Sequence, residues 1–278
     1  MNLKFVWRVL AGWMVFVIAE MVSGVIIPIH MPMAPHSFRW LLASNLLTVA
    51  ALAWAGSRAG WARMQLAAGF FAIGFSILLV NAVEGYFFLN VPGLSWPRLV
   101  LNQGISMAIL AVVLGLLFGA APKSEQGEKE EGWLGGPGRA IVKFVACDVL
   151  YLVLYFTAGL IVIPFVRDFY TTQHIPPFAT IVTLQLSLRG PIFVLLIILL
   201  TRMIAVRRTA DALGVGLIFT ILTGVTQLMI PNPFFPDAVR SAHFCEVVSS
   251  MFVFGFLVSM LWKHRDRKVA VQTVATPA

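Results

Sequence analysis

Residues 64–89, which read MQLAAGFFAIGFSILLVNAVEGYFFL, determine the fold class. The stretch is nearly all apolar and is longer than the roughly 20 residues with which an α-helix crosses a bilayer. A backbone in hydrocarbon must satisfy every N–H and C=O internally, so membrane spans are helices or the strands of a closed barrel. Barrel strands alternate in polarity over about ten residues, and this stretch does not. The sequence therefore predicts a transmembrane helix here.

The whole chain has the same character. Of its 278 residues 59% are hydrophobic and 12% are charged, which is far from the average of soluble domains. We predict an all-α membrane protein of about eight transmembrane helices, at residues 7–28, 38–57, 64–89, 97–120, 139–164, 180–204, 210–231 and 241–262. The sixth span contains Arg189, Gly190 and Pro191, so residues 177–188 could instead form a separate interfacial or re-entrant segment.

A polar linker divides the spans into two groups of four. Residues 122–138, PKSEQGEKEEGWLGGPG, combine charges with glycines, which favours a flexible cytoplasmic connection. We predict four segments: a first four-span half at 1–120, a linker at 121–138, a second four-span half at 139–263 and a cytoplasmic tail at 264–278.

Weak echoes between the halves suggest a duplication. Matching residues are found in corresponding spans: Gly24 and Gly159, Pro28 and Pro164, Arg39 and Arg189, Arg58 and Arg208, Phe87-Phe88 and Phe234-Phe235, and Ser106-Met107 and Ser250-Met251. Because each half has an even number of spans, both halves start on the same side of the membrane. The sequence thus predicts two parallel four-helix repeats, as in the halves of some transporters.

The formal charge of +8 comes from basic residues in short clusters beside the apolar runs. All but five of the 20 Lys and Arg residues fall on one side of the eight-span arrangement; the five exceptions are Arg39, Arg98, Arg167, Arg189 and Arg240. Cytoplasmic loops are enriched in Lys and Arg, so both termini are predicted to be cytoplasmic. We expect a multi-pass protein of the cell (inner) membrane, in contact with the lipid bilayer and with no nucleic-acid partner.

Ionisable residues inside the predicted spans indicate where a site lies. A charge near the bilayer centre costs roughly 2.5 to 3.5 kcal/mol, so such residues usually have a function. Five of them converge on the outer half of the membrane and are the predicted substrate-binding residues: Glu20, Glu84, Arg189, His243 and Glu246. Five more polar residues at similar depth are predicted to support them: Asn45, Asn81, Asn102, Gln103 and Gln227.

The spacing of His243 and Glu246, three residues apart, puts both side chains on one face of the last span. Asp148 lies nearer the cytoplasmic face, with Tyr151 and Tyr155 further along the same helix. The alternative to a binding site is that all these groups pair with one another between helices and bind no ligand.

Two functional classes fit this pattern, with a third as the alternative to both. The leading hypothesis is a small-solute carrier or permease, proton-coupled through Glu20 or Glu246 with His243 as the neighbouring group. The second is a membrane-embedded enzyme in which His243 and Glu246 perform acid–base chemistry on a lipid or quinone at the outer leaflet. The third is an accessory subunit whose polar residues bind the spans of a partner.

We predict no cofactor and no metal site. The chain has no GxSxG, HExxH, P-loop or GxGxxG motif, and one histidine within the spans is too few for haem with paired axial histidines. Its two cysteines, Cys147 and Cys245, offer no metal-ligand spacing. A copper site remains as an alternative in the first outer loop, whose candidate ligands are His30, Met31, Met33 and His36.

Overall fold

The structure is a computed structural model that describes residues 2–29, 34–89, 91, 93–121, 136–173, 175–232 and 235–263. Over these residues eight helices are long and apolar enough to cross a membrane. They are α1 (Leu3–Ile26), α2 (Ser37–Arg58), α3 (Arg63–Phe88), α4 (Trp96–Phe118), α5 (Pro137–Tyr170), α6 (Phe178–Ile204), α7 (Thr209–Leu228) and α8 (Asp237–Leu261). The predicted fold class, an all-α membrane protein of eight spans, is confirmed.

The sixth span is one helix that contains a π-helical turn. Its α-helical part Phe178–Leu184 leads into the π turn Gln185–Arg189, and the α-helix resumes at Gly190–Met203. Pro191 lacks a backbone N–H and cannot donate a helical hydrogen bond. The wider π turn directly before it accommodates this missing bond without ending the helix. The alternative of a separate segment at 177–188 is therefore wrong. A second π turn, Ile221–Val225, lies within α7.

Contacts between helix ends define the two ends of the bundle. The Phe5 and Phe118 rings, with centroids 5.8 Å apart, bring the start of α1 to the end of α4. Lys143 Nζ donates to the Leu261 carbonyl at 3.4 Å, which brings the start of α5 to the end of α8. We call this end, where α1 begins and α8 ends, the base, and the opposite end the top.

The two halves have matching helix pairings. In the first half α1 packs on α2 and α4, and α4 also packs on α2 and α3. In the second half α5 packs on α6 and α8, and α8 also packs on α6 and α7, with an added contact between α6 and α7. The halves meet through α2 and α3 against α6 and α7. A duplicated four-helix unit with a twofold axis along the bundle produces this pairing, and on this ground we propose the duplication.

The core consists of large apolar side chains between the helices. Phe70, Phe193, Phe219 and Phe254 are fully buried, and they lie on α3, α6, α7 and α8. The outer faces are also apolar: Val25 on α1 and Phe165 on α5 are among many large hydrophobic residues that are exposed. An apolar exterior that runs along the helices is the surface that a lipid bilayer covers.

Candidate functional site

A cavity of about 550 Å³ lies toward the top of the bundle, among α3, α5, α6, α7 and α8. Four of the five predicted substrate-binding residues line it: Glu84, Arg189, His243 and Glu246. Two of the predicted supporting residues line it as well, Asn81 on α3 and Gln227 on α7. The structure therefore brings together most of the polar residues that the sequence places at this depth.

Glu84 on α3 and Arg189 on α6 form an ion pair across the cavity wall. The Arg189 side chain is only 9% exposed and that of Glu84 is 24% exposed. The guanidinium also lies 5.2 Å from the centroid of the Phe193 ring, a cation–π distance. A buried charge needs such partners because it has lost its water, so Glu84 is the residue that allows Arg189 to remain charged here.

His243 joins α8 to the end of α5. Its Nδ1 lies 2.7 Å from Oε2 of Glu246, and its Nε2 lies 2.9 Å from the Tyr170 hydroxyl. When Glu246 is ionised it can only accept a hydrogen bond, and Nδ1 then carries the proton. In the neutral imidazole Nε2 then accepts from Tyr170. Tyr170, His243 and Glu246 thus form a continuous hydrogen-bonded chain along one side of the cavity.

Two buried nitrogen atoms of the cavity residues lack an acceptor. Among the described residues, neither Nε of Arg189 nor Nδ2 of Asn81 has a hydrogen-bond partner. Both residues line the cavity, and both atoms are N–H donors. Buried polar groups are usually hydrogen-bonded, so these two donors are unsatisfied groups of residues in the cavity wall.

Both π turns contribute to the cavity. The turn in α6 ends at Arg189, and the turn in α7 contains Thr223 and Gly224, which line the opposite wall. Such turns are frequent at functional sites, and the wider turn changes the direction of the side chains on it. Sequence reasoning missed both turns; Gly190-Pro191 was the one signal for the first.

The remaining wall of the cavity is apolar and comes largely from α5. Phe156, Leu160, Ile163 and Val166 lie along it. Leu160 is 69% exposed and Ile163 is 52% exposed, so this wall continues onto the outer face of the bundle. Gly159 lies on the same stretch, and a Cβ added there would approach only Glu246 Oε1, at 3.9 Å. The cavity thus has a polar side and an apolar side that reaches the surface.

The other predicted residues lie in the first half, away from this cavity. Glu20 Oε2 accepts a hydrogen bond from Asn45 Nδ2 at 2.5 Å, between α1 and α2. Asn102 Nδ2 donates to the Ile27 carbonyl at 3.0 Å, between α4 and the end of α1. Gln103 lies on an exposed face of α4. The contacts of Glu20, Asn45 and Asn102 fit the alternative that polar residues pair between helices.

Below the cavity, a second polar group surrounds the π turn of α6. Tyr151 is fully buried, and its hydroxyl donates to Gln185 Oε1 at 2.9 Å. Asp148 faces Gly190, where a Cβ would collide with its Oδ1. Sequence reasoning missed Gln185 and Tyr170 as site residues. It searched the spans for charged side chains, and these two are uncharged.

The copper hypothesis concerns the connection between α1 and α2. His30, Met31 and Met33 lie outside the described residues. His36 immediately precedes α2, with a left-handed backbone at φ 64°. Its placement alone gives no ligand set for a metal.

The chain was compared with protein-family models, with curated proteins and with solved structures. None of the three comparisons found a match. The function is therefore inferred from the residues of the cavity.

Proposed function

We propose that the protein is a carrier for a small solute and that the cavity at the top of the bundle is its substrate site. One observation carries the proposal: Glu84, Arg189, His243 and Glu246, from three different spans, line a single cavity. Ionisable residues within a membrane that share a cavity mark substrate or proton pathways.

The position of the cavity supports a carrier. Glu84 belongs to the first half and Arg189 to the second, so their ion pair bridges the junction between the halves. Carriers built from repeats bind their substrate at such a junction and change access by moving one half against the other. Movement at this junction separates Glu84 from Arg189 and alters the shape of the cavity.

We propose that Glu246 and His243 exchange a proton during transport. The pair is hydrogen-bonded to Tyr170 and shares its cavity with Glu84 and Arg189. Histidine is the side chain whose charge changes most readily near neutral pH. Glu20, the other candidate for this role, is paired with Asn45 outside the cavity, so Glu246 is the residue that we assign to it.

We also propose that the protein lies in the cell (inner) membrane and that the base of the bundle faces the cytoplasm. Basic residues are concentrated at the base, among them Lys4, Arg58, Arg63, Lys143 and Arg208. Positive charge near short loops marks the cytoplasmic side. The cavity then opens toward the outer half of the bilayer.

The carrier proposal is tested in proteoliposomes that contain a pH-sensitive dye. Neutral amphiphiles, sugars, organic acids and organic cations are added in turn, and solute-dependent proton uptake is recorded. We expect one class to drive uptake, Glu246→Gln to remove most of it, and Glu20→Gln to retain more than half. Equal uptake by both variants, or no response to any class, contradicts the proposal.

A second function is favoured by the apolar wall of the cavity. Exposed Leu160 and Ile163 connect the lipid-facing surface with the space beside His243, as a membrane-embedded enzyme needs for a lipid or quinone substrate. In that case His243 and Glu246 act as the acid–base pair. Mass spectrometry of lipids and quinones incubated with the protein tests this function: it requires a product that forms with the wild type and not with His243→Gln.

A further inference from the structure

We infer that the cavity takes an uncharged amphiphile whose head accepts hydrogen bonds from Asn81 and Arg189 and whose apolar part lies along α5. The inference rests on the substrate site of the proposed function and adds the chemical class of the ligand. It does not depend on transport, because an enzyme with the same cavity would bind the same class.

The hydrogen-bonding atoms specify the head. Arg189 is more than nine-tenths buried, and among the described residues its Nε has no acceptor. Nδ2 of Asn81, on the facing helix α3, is also buried, and it too has no acceptor among the described residues. Both atoms are donors, so the complementary ligand group is an acceptor oxygen, and a donor-rich head such as an ammonium does not match.

The charges of the buried part of the cavity argue against an anionic head. The positive charge of Arg189 is already paired with Glu84. Glu246 adds a second carboxyl group, whose Oε2 lies 2.7 Å from His243 Nδ1. With Glu246 ionised, the four groups have no excess positive charge, whether His243 is neutral or protonated. A neutral acceptor, such as a carbonyl oxygen, satisfies the donors without adding an unpaired charge.

The apolar wall specifies the rest of the ligand. Phe156, Leu160 and Ile163 of α5 line the cavity, and the last two are also exposed on the bilayer-facing side. Gly159, in the middle of this stretch, leaves the space next to Glu246 open. A molecule with an apolar chain can therefore enter from the lipid and keep its chain against α5 while its head reaches Asn81.

Two membrane components have this chemistry: a quinone, with its ring carbonyls, and a neutral glycerolipid, with its ester carbonyl. Four probes with the same decyl-length chain separate the effect of the head from that of the chain. They are a decyl-substituted benzoquinone, a monodecanoylglycerol, decanoate and decyltrimethylammonium. Equilibrium binding of the two neutral probes, as tritiated compounds, is measured on the full chain in nanodiscs, with empty nanodiscs subtracted; the two ionic probes are added as competitors.

We expect at least one neutral probe to bind saturably, with both ionic probes competing weakly. Binding of the quinone alone identifies a quinone ligand, and binding of the glycerol ester alone identifies a lipid; either supports the inference. Asn81→Leu, which removes a donor, should weaken binding about tenfold. Gln103→Leu, on the exposed face of α4, is the matched control and should bind as the wild type does.

Arg189→Lys provides a second variant in case Asn81→Leu does not fold. Lysine retains the charge that pairs with Glu84 but lacks Nε, so binding should again weaken.

Stronger competition by decanoate than by the neutral probes overturns the inference, as does wild-type affinity in a folded Asn81 or Arg189 variant. No ion gradient is present in this assay, so failed transport with intact binding removes the carrier and leaves the ligand class standing. Transport of another solute without binding of either neutral probe removes the ligand class and leaves the carrier standing.

Discussion

The carboxylate of Glu84 on α3 is paired with the guanidinium of Arg189, the last residue of the π turn in α6. This ion pair crosses from the first four helices to the last four, and it lies in the wall of the one cavity that contains most of the predicted site residues. It is therefore both a contact between the halves and a part of the candidate site.

Glu84→Gln should destabilise the fold because it leaves the Arg189 charge buried and unpaired. We expect a loss of about 3 kcal/mol in the free energy of unfolding, measured by denaturation in detergent. Asp211→Asn is the control, since it breaks the ion pair between Arg58 and Asp211, which also joins the halves but leaves an arginine that is 46% exposed to solvent or lipid headgroups. That change should cost less than about 1 kcal/mol. Similar losses in the two variants would show that Arg189 does not depend on Glu84.

Tyr170→Phe should reduce solute-dependent proton uptake with little effect on stability. The change removes the hydroxyl at His243 Nε2 and keeps the ring, which packs beside Phe169. Loss of one hydrogen bond costs about 1 kcal/mol of stability. Tyr86→Phe is the matched control, on an exposed face of α3. Dye-loaded proteoliposomes measure the effect; equal uptake by the two variants would remove Tyr170 from the site.

Gly159→Leu should block the cavity while the protein stays folded. The added side chain extends from an open position toward Glu246 and fills space that a ligand needs. Gly24→Leu offers a control from the corresponding span of the first half, where a Cβ meets nothing within 4 Å. We expect probe binding and transport to be lost only in Gly159→Leu, with unchanged melting temperatures in both. Retained binding in Gly159→Leu contradicts the assigned position of the ligand.

Gly216→Ala should weaken the contact between α7 and α8. A Cβ at Gly216 would lie 2.9 Å from the Phe252 carbonyl oxygen and 3.1 Å from Phe256 N, and backbone atoms cannot move aside cheaply. We expect a loss of about 1 to 3 kcal/mol, read from thermal unfolding in detergent. Gly24→Ala should leave the unfolding curve where it is. No loss in Gly216→Ala would mean that these helices are further apart.

The spans could be predicted from the sequence because a bilayer imposes one length on every apolar helix. The seventh predicted span, 210–231, corresponds to Thr209–Leu228. The fifth was predicted at 139–164, whereas α5 continues to Tyr170. The helix continues through Pro164 and carries Arg167 and Tyr170 to the cavity.

The site could be predicted in part, since sequence position gives depth in the membrane but not rotation about the helix axis. His243 and Glu246 share a face because of their spacing, and the structure has them hydrogen-bonded. Glu20 lies in an outer half-span like Glu84, but its side chain faces Asn45 on α2. The π turn that ends at Arg189 depends on packing between helices, which a local pattern does not encode.

Thiol accessibility tests most directly whether a polar cavity open to the outer side exists. In a chain with Cys147→Ala and Cys245→Ala, a single cysteine is introduced as Gly159→Cys or as Ile18→Cys, on an exposed, lipid-facing position within α1, and intact cells are treated with a membrane-impermeant maleimide. Thiols react as thiolates, which form in a watery cavity and not in lipid. We predict that Gly159→Cys is labelled and Ile18→Cys is not; equal resistance of both cysteines to labelling would contradict the cavity.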